Sequence, residues 1–163
     1  MQVQSAKVNN RALVAGCLAH ITHDGITDML YVFFPIWQNQ LSLSLTQIGL
    51  IKTLYSGSMA LFQFPAGLVA ARFGEMLPLT VGTMLTGFAV ISFGGSSSFF
   101  ILCILMVFGG LGASFQHPLA SSLVSGAYPD NKKRRVALST YNMSGDLGKL
   151  LLPGLAALVI AGS

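Results

Sequence analysis

Five long apolar stretches alternate with short polar gaps along the chain, at about 12–37, 46–71, 78–94, 99–123 and 136–162. A helix needs roughly 20 mostly apolar residues to cross the hydrocarbon core of a bilayer. The pattern therefore predicts an all-α membrane protein, with five transmembrane helices in one domain over residues 1–163. Gly95-Ser96-Ser97-Ser98 reads as the turn between the third and fourth helices, and Tyr128-Pro129-Asp130-Asn131 as the turn before the fifth. The third stretch is short and carries no ionisable group, which suits a lipid-facing position. The others carry polar residues at helical spacing.

In the first stretch His20, His23, Asp24, Thr27, Asp28 and Tyr31 recur on one helical face. Ionisable groups inside a membrane helix are costly and face a cavity or a partner. Imidazole titrates near neutral pH, so His20 with Asp24 reads either as a proton-sensing pair or as a buried network that only locks helices together. The fourth stretch carries Ser114, Gln116, His117, Pro118 and Ser121, with His117 and Ser121 on one face and a proline expected to kink the helix. The fifth carries Asn142, Asp146, Lys149 and Pro153 on one stripe. There Asp146 and Lys149 are three residues apart and pair with each other, or Lys149 binds an anion. Tyr31 and Trp37 fall near the end of the first helix, where interfacial aromatic belts sit. Lys52 lies where its stem can snorkel.

Composition supports the membrane reading. Hydrophobic residues make up 53% of the chain, charged residues only 9%, and mean hydropathy is +0.69. Soluble domains carry about 25% charged residues, so a soluble enzyme, a nucleic-acid binder and a disordered tail are excluded. The net charge of +4 marks orientation rather than nucleic-acid binding. Lys7 and Arg11, then Arg72, then Lys132, Lys133, Arg134 and Arg135 fall in alternate gaps, and basic segments stay cytoplasmic. The expected topology has the N-terminus inside and Ser163 outside. Anionic lipid binding at the last basic run is a by-product of the same charges.

Cys17 and Cys103 lie inside apolar runs and read as small hydrophobes. Val14-Ala15-Gly16-Cys17 looks like a lipoprotein cleavage box, but the apolar run before it is too short for a signal peptide. His20, His23 and Asp24 offer ligand types at a spacing that signals a metal only weakly, so neither a metal nor a cofactor is expected. No hydrolase, nucleotide-binding or metalloprotease motif appears in a fitting context, and no enzyme is expected.

Several motifs together resemble the N-terminal half of a major facilitator superfamily transporter, most nearly the fosmidomycin-resistance type. They are Leu18-Ala19-His20 with Asp24, the run from Tyr31 to Pro35, Gln47-Ile48-Gly49-Leu50, Gly110-Leu111-Gly112-Ala113-Ser114-Phe115-Gln116-His117-Pro118, and Asn142-Met143-Ser144-Gly145-Asp146-Leu147-Gly148 with Leu152-Pro153. The resemblance implies two six-helix halves working by alternating access in a bacterial inner membrane, with the first and fourth helices lining a central cavity. It also implies export of a small molecule against proton entry. The expected substrate or proton pathway is His20, His23, Asp24, Asp28, Gln116, His117, Asn142, Asp146 and Lys149, and the expected gating loop holds Gly67, Arg72 and Gly74.

Two positions depart from the family pattern. Ala71 stands where the gating loop has Asp, with no basic residues after Gly74, and Leu119 stands where Glu follows His-Pro. The chain also ends after the fifth apolar stretch. Three readings follow: a piece of a transporter that works with a missing part, a degenerate half serving as a structural subunit of a larger membrane complex, or a small homodimeric transporter. The partners expected are lipids, another transmembrane chain or larger complex, and a small-molecule substrate.

Overall fold

The computed structural model describes residues 2–162, with side chains described from residue 9 onward. The side chain of Lys7 and the residue Ser163, both used for the expected orientation, lie outside the described residues. The regular structure of the described residues is all helix, without strands: α1 (Gln2–Gln40), α2 (Leu45–Phe73), α3 (Met76–Phe93), α4 (Phe99–Ala113), α5 (Gln116–Ala127) and α6 (Asn131–Ala161). The helices form five rods, because α4 and α5 are one span broken at Ser114 and Phe115. Pro118 explains the break. It has no N–H to return to the carbonyl four residues back, at Ser114. The Ser121 hydroxyl donates to the carbonyls of His117 (2.7 Å) and Pro118 (3.2 Å).

The helix starts follow local chemistry. Ser44 and Gln47 form a capping box at α2: the Gln47 N–H donates to Ser44 Oγ (3.2 Å), and the Ser44 N–H donates to Gln47 Oε1 (2.8 Å). Ser98 caps α4 and Asp130 caps α6. Gly74 ends α2 at φ 77°, a conformation that favours glycine.

Length and apolar composition qualify three rods as membrane spans on their own: Met76–Phe93, Phe99–Ala127 and Asn131–Ala161. The polar stripe of α1 and the scattered polar residues of α2 dilute those two helices below that level. Such helices are sheltered by packing, and the tightest seams join α1 to α6 and α4 to both α2 and α3.

Two apolar cores stack along the rods. One gathers Leu30, Phe34, Trp37, Ile51, Tyr55, Phe93, Leu102 and Met106. The other gathers Ala66, Leu79, Leu119, Ala120, Val124, Ala137 and Tyr141. Residues 20–24 of α1 and 114–117 of the broken span fall between them in sequence on their rods. The polar groups thus sit at mid-depth, with an apolar plug on either side. Trp37 corrects the aromatic-belt expectation. It is 5% exposed, with its ring against Phe33 (5.6 Å), Phe34 (6.1 Å) and Phe93 (5.3 Å). Three aromatic neighbours inside the bundle give it more apolar contact than an interface can. Tyr31 does face outward, with the Lys52 ammonium 4.9 Å from its ring centroid.

Candidate functional site

Asp24 is the hub of the mid-depth layer. Its carboxylate is 7% exposed and meets four nitrogen groups from three helices. His20 Nε2 lies 3.3 Å and Lys149 Nζ 3.2 Å from Oδ2, while His117 Nε2 lies 3.5 Å and His23 Nε2 3.9 Å from Oδ1. The His117 ring stands edge-on to His20 (centroids 5.1 Å apart) and to His23 (4.7 Å). His20 and His23 are enclosed, whereas the side chains of His117 and Lys149 are 43% and 45% exposed. The cluster is therefore closed on the α1 side and open past His117 and Lys149.

The ring of His20 is fixed twice. It stacks on Tyr141 with centroids 4.1 Å apart, and its Nδ1 sits 2.8 Å from the Tyr141 carbonyl. A carbonyl only accepts, so Nδ1 carries the proton. Nε2 then faces a carboxylate oxygen. Two lone pairs cannot meet at 3.3 Å without a proton or another cation between them. A proton between Nε2 and Oδ2 satisfies the pair, and the Lys149 ammonium meets the same oxygen at 3.2 Å.

Glycines allow the approach. A Cβ on Gly145 would stand 2.6 Å from the His20 ring and 2.7 Å from Asp24 Oδ2, and one on Gly148 would collide with the Ile21 carbonyl. The packed face of α6 is Ala137, Tyr141, Ser144, Gly145 and Gly148. It lies one helical step round from the stripe read in the sequence. Asn142 and Asp146 accordingly point outward, and only Lys149 reaches back, spanning Asp24 and Asp146 at 3.2 Å each. The expected local pair exists, but it is half of a three-member chain.

The remaining expected residues separate from this hub. Asp28 is half-buried and, among the described residues, makes no hydrogen bond or ion pair. Gln116 accepts from the Thr83 hydroxyl (3.3 Å), while its buried Nε2 lacks a partner. It borders a void of about 10 Å³ shared with His23, Thr22 and Thr86, about the size of one water. Tyr141 and Thr83 were not singled out from the sequence. Tyr141 was legible, since it continues the Gly145 and Gly148 face four residues earlier.

The expected gating loop is mostly helix: Gly67 and Arg72 lie inside the last turns of α2, which continues to Phe73, and only Gly74 falls in the connection to α3. All three are exposed, and Arg72 lies over the Phe73 ring at 5.6 Å. Ala71 lines a cleft of about 260 Å³ with Glu75, Leu119 and Ser122. Glu75 Oε1 accepts from the Ser122 hydroxyl at 3.1 Å. A carboxylate thus occupies this cleft, four residues later than the family pattern places it, and ties the corner to α5.

The Major Facilitator Superfamily family matches residues 16–163. The chain belongs to this superfamily. Among its relatives, the fosmidomycin resistance protein of Escherichia coli is 28% identical over 158 residues, covering 96% of this chain and 38% of the relative. An uncharacterized MFS-type transporter of Bacillus subtilis, YfnC, is 25% identical over 143 residues, 88% of this chain and 34% of its own length. The hexuronate transporter of Bacillus subtilis is 29% identical over 111 residues, 66% of this chain and 25% of its own. The chain thus spans about a third of the length of these relatives. No solved structure matches it significantly. Membership makes the chain a membrane protein of a transporter family, and its relatives are transporters rather than enzymes.

Proposed function

We propose that this superfamily member forms the proton- and substrate-handling part of a proton-coupled exporter of a small molecule, working with further transmembrane helices. The observation that carries the reading is the Asp24 hub, with three imidazoles and one ammonium converging on one enclosed carboxylate at mid-depth. His20 Nε2 holds a proton against Asp24, and His117 stands at the open edge, where a proton or ligand can enter. Intramembrane ionisable groups of this kind mark transport pathways, and midplane sites beside broken helices are a recurring transporter arrangement. His23, Gln116 and the break at Ser114 and Phe115 line the same layer. Asp28 and Asn142 complete the pathway only when other helices close over them.

Dependence on a partner rests on α6. Asp146 has Lys149 on one oxygen but is still 77% exposed on a face shared with Met143, Leu147 and Leu150, and lipid cannot satisfy the rest of a carboxylate. All five rods cross a bacterial inner membrane in this reading, with the basic gaps inside. A reporter after Arg135 then reads cytoplasmic and one at Ser97 external. The corner from Gly67 and Arg72 at the end of α2 to Gly74 gates the cytoplasmic side, with Glu75 in place of the missing Asp.

The test is proton movement in vesicles loaded with a pH-sensitive dye, with the chain reconstituted alone and with added transporter halves. Fosmidomycin, the compound in one relative's name, is the first probe. Substrate-dependent proton flux that disappears in Asp24→Asn is the expected result. Equal flux in that variant removes Asp24 from the pathway. A second reading, a structural subunit of a larger membrane complex, is favoured by the internal neutralisation of Lys149 by Asp24 and Asp146. Absence of flux together with tight copurification in such a complex would support it.

A further inference from the structure

We infer that His20, Asp24 and His117 form a binding site for a divalent transition-metal ion of the zinc and cobalt class, with Lys149 as its built-in competitor. The inference uses side chains of the proposed proton site but does not depend on transport. It stands or falls on the isolated chain.

The donor set fits such an ion. One ligand atom from each of the three residues lies within 4.8 Å of the others. Metal bonds of about 2.0–2.1 Å put neighbouring ligand atoms roughly 3.3 Å apart around a tetrahedral ion. His20 lies 3.3 Å from Oδ2 and His117 3.5 Å from Oδ1, so the two imidazoles meet different oxygens of Asp24, and His117 must move in until both nitrogens and one oxygen face the same ion. His117 can supply that movement, because its side chain is 43% exposed. Imidazole and carboxylate together select borderline metals over calcium or magnesium.

The second argument is orientation. A metal-bound histidine commonly donates its other ring N–H to a carbonyl or carboxylate, which fixes the tautomer and aims the free nitrogen. His20 already does this through Nδ1 and the Tyr141 carbonyl at 2.8 Å, with its ring clamped against Tyr141. Its Nε2 lone pair and the Asp24 carboxylate face each other and require a cation between them. A proton satisfies that need, and so does a metal. The open edge past His117 and Lys149 leaves the fourth position of the tetrahedron to a water molecule.

Lys149 opposes the metal. Its ammonium lies 3.2 Å from Asp24 Oδ2, yet Asp146 accepts it at the same distance. On binding, the ion takes the Nε2 and carboxylate lone pairs, the proton between them leaves to solvent, and Lys149 moves wholly onto Asp146. The ammonium and the metal are mutually exclusive on Asp24.

The experiment is titration of the purified, tag-free chain in detergent with Co2+, followed by visible absorption. The expected result is one saturable site with the intense bands of a tetrahedral cobalt ion, displaced by one equivalent of Zn2+. His117→Gln should weaken binding at least about tenfold through loss of a ligand. Lys149→Met should tighten it at least about tenfold, because a competing positive charge is gone. Circular dichroism on each variant separates lost binding from lost fold, and Lys149→Met removes no ligand, so it serves even if His117→Gln unfolds. Absence of a saturable site, an octahedral spectrum, or unchanged affinity in Lys149→Met would overturn the inference.

Discussion

Two seams in this bundle are closed by the same device and filled with opposite chemistry. Where α4 meets α2 and α3, glycines let backbones touch. A Cβ on Gly112 would stand 2.6 Å from the Gly82 carbonyl, and one on Gly110 would collide with Ser58 and Tyr55. The polar groups there are hydroxyls bonded to carbonyls: Ser58 donates to Val107 (3.1 Å), and Thr86 donates to Gly109 (3.2 Å). Where α1 meets α6, Gly145 and Gly148 allow an equally close approach, but the enclosed groups are two histidines, an aspartate and the reach of Lys149. Small-residue packing is thus common property of the fold. Among the described residues the cluster of ionisable groups lies at the α1–α6 seam, where His117 of α5 joins it.

The comparison breaks most visibly if the glycines are filled. Gly112→Leu should destabilise the bundle by about 3 kcal/mol or more through overpacking, since the Gly82 carbonyl (2.6 Å) and the Thr86 backbone nitrogen (2.7 Å) stand against the new Cβ. Gly148→Leu should do the same at the other seam. Thermal unfolding in detergent reads both, and a variant with an unchanged midpoint would mean that the close approach is not needed there.

Removing the hub comes next. Asp24→Leu leaves enclosed nitrogens without a counter-charge and should cost about 3 kcal/mol, the lower edge of the range for breaking a buried pair, because Lys149 keeps Asp146. The isosteric Asp24→Asn should lose less stability and all proton coupling. If both variants melted alike while coupling survived in Asp24→Asn, the two seams would be equally structural.

A smaller effect is expected at the hydroxyls. Thr86→Ala removes one interhelical hydrogen bond, worth about 0.6 kcal/mol between membrane helices, and should leave transport intact. A transport defect in this variant would extend the functional layer into the α3–α4 seam. The least effect belongs to Asn142→Ala, on the outward face of α6. It should leave the isolated chain's melting point unchanged and alter behaviour only when other helices are present.

The sequence determined a good deal by itself. Low charge and long apolar runs require a helical membrane protein, because lipid offers no partner for unpaired backbone groups. The periodicity of α1 put His20 and Asp24 on one face, and Pro118 announced the break between α4 and α5. Its local pairing of Asp146 with Lys149 was also right, because residues three apart on a helix are neighbours wherever the helix lies. What it left open was anything depending on the rotation of one helix against another. The stripe of Asn142, Asp146 and Lys149 is real, yet the packed face of α6 is set one step away by Tyr141, Gly145 and Gly148, since only the glycine face can approach α1. Helical spacing likewise gave no hint that His117 arrives edge-on against both His20 and His23, or that the Tyr141 carbonyl accepts a hydrogen bond from His20 Nδ1. Those contacts join residues about a hundred positions apart. Only the tertiary packing decided them, because a helix fixes which side chains share its face but not which face another helix will meet.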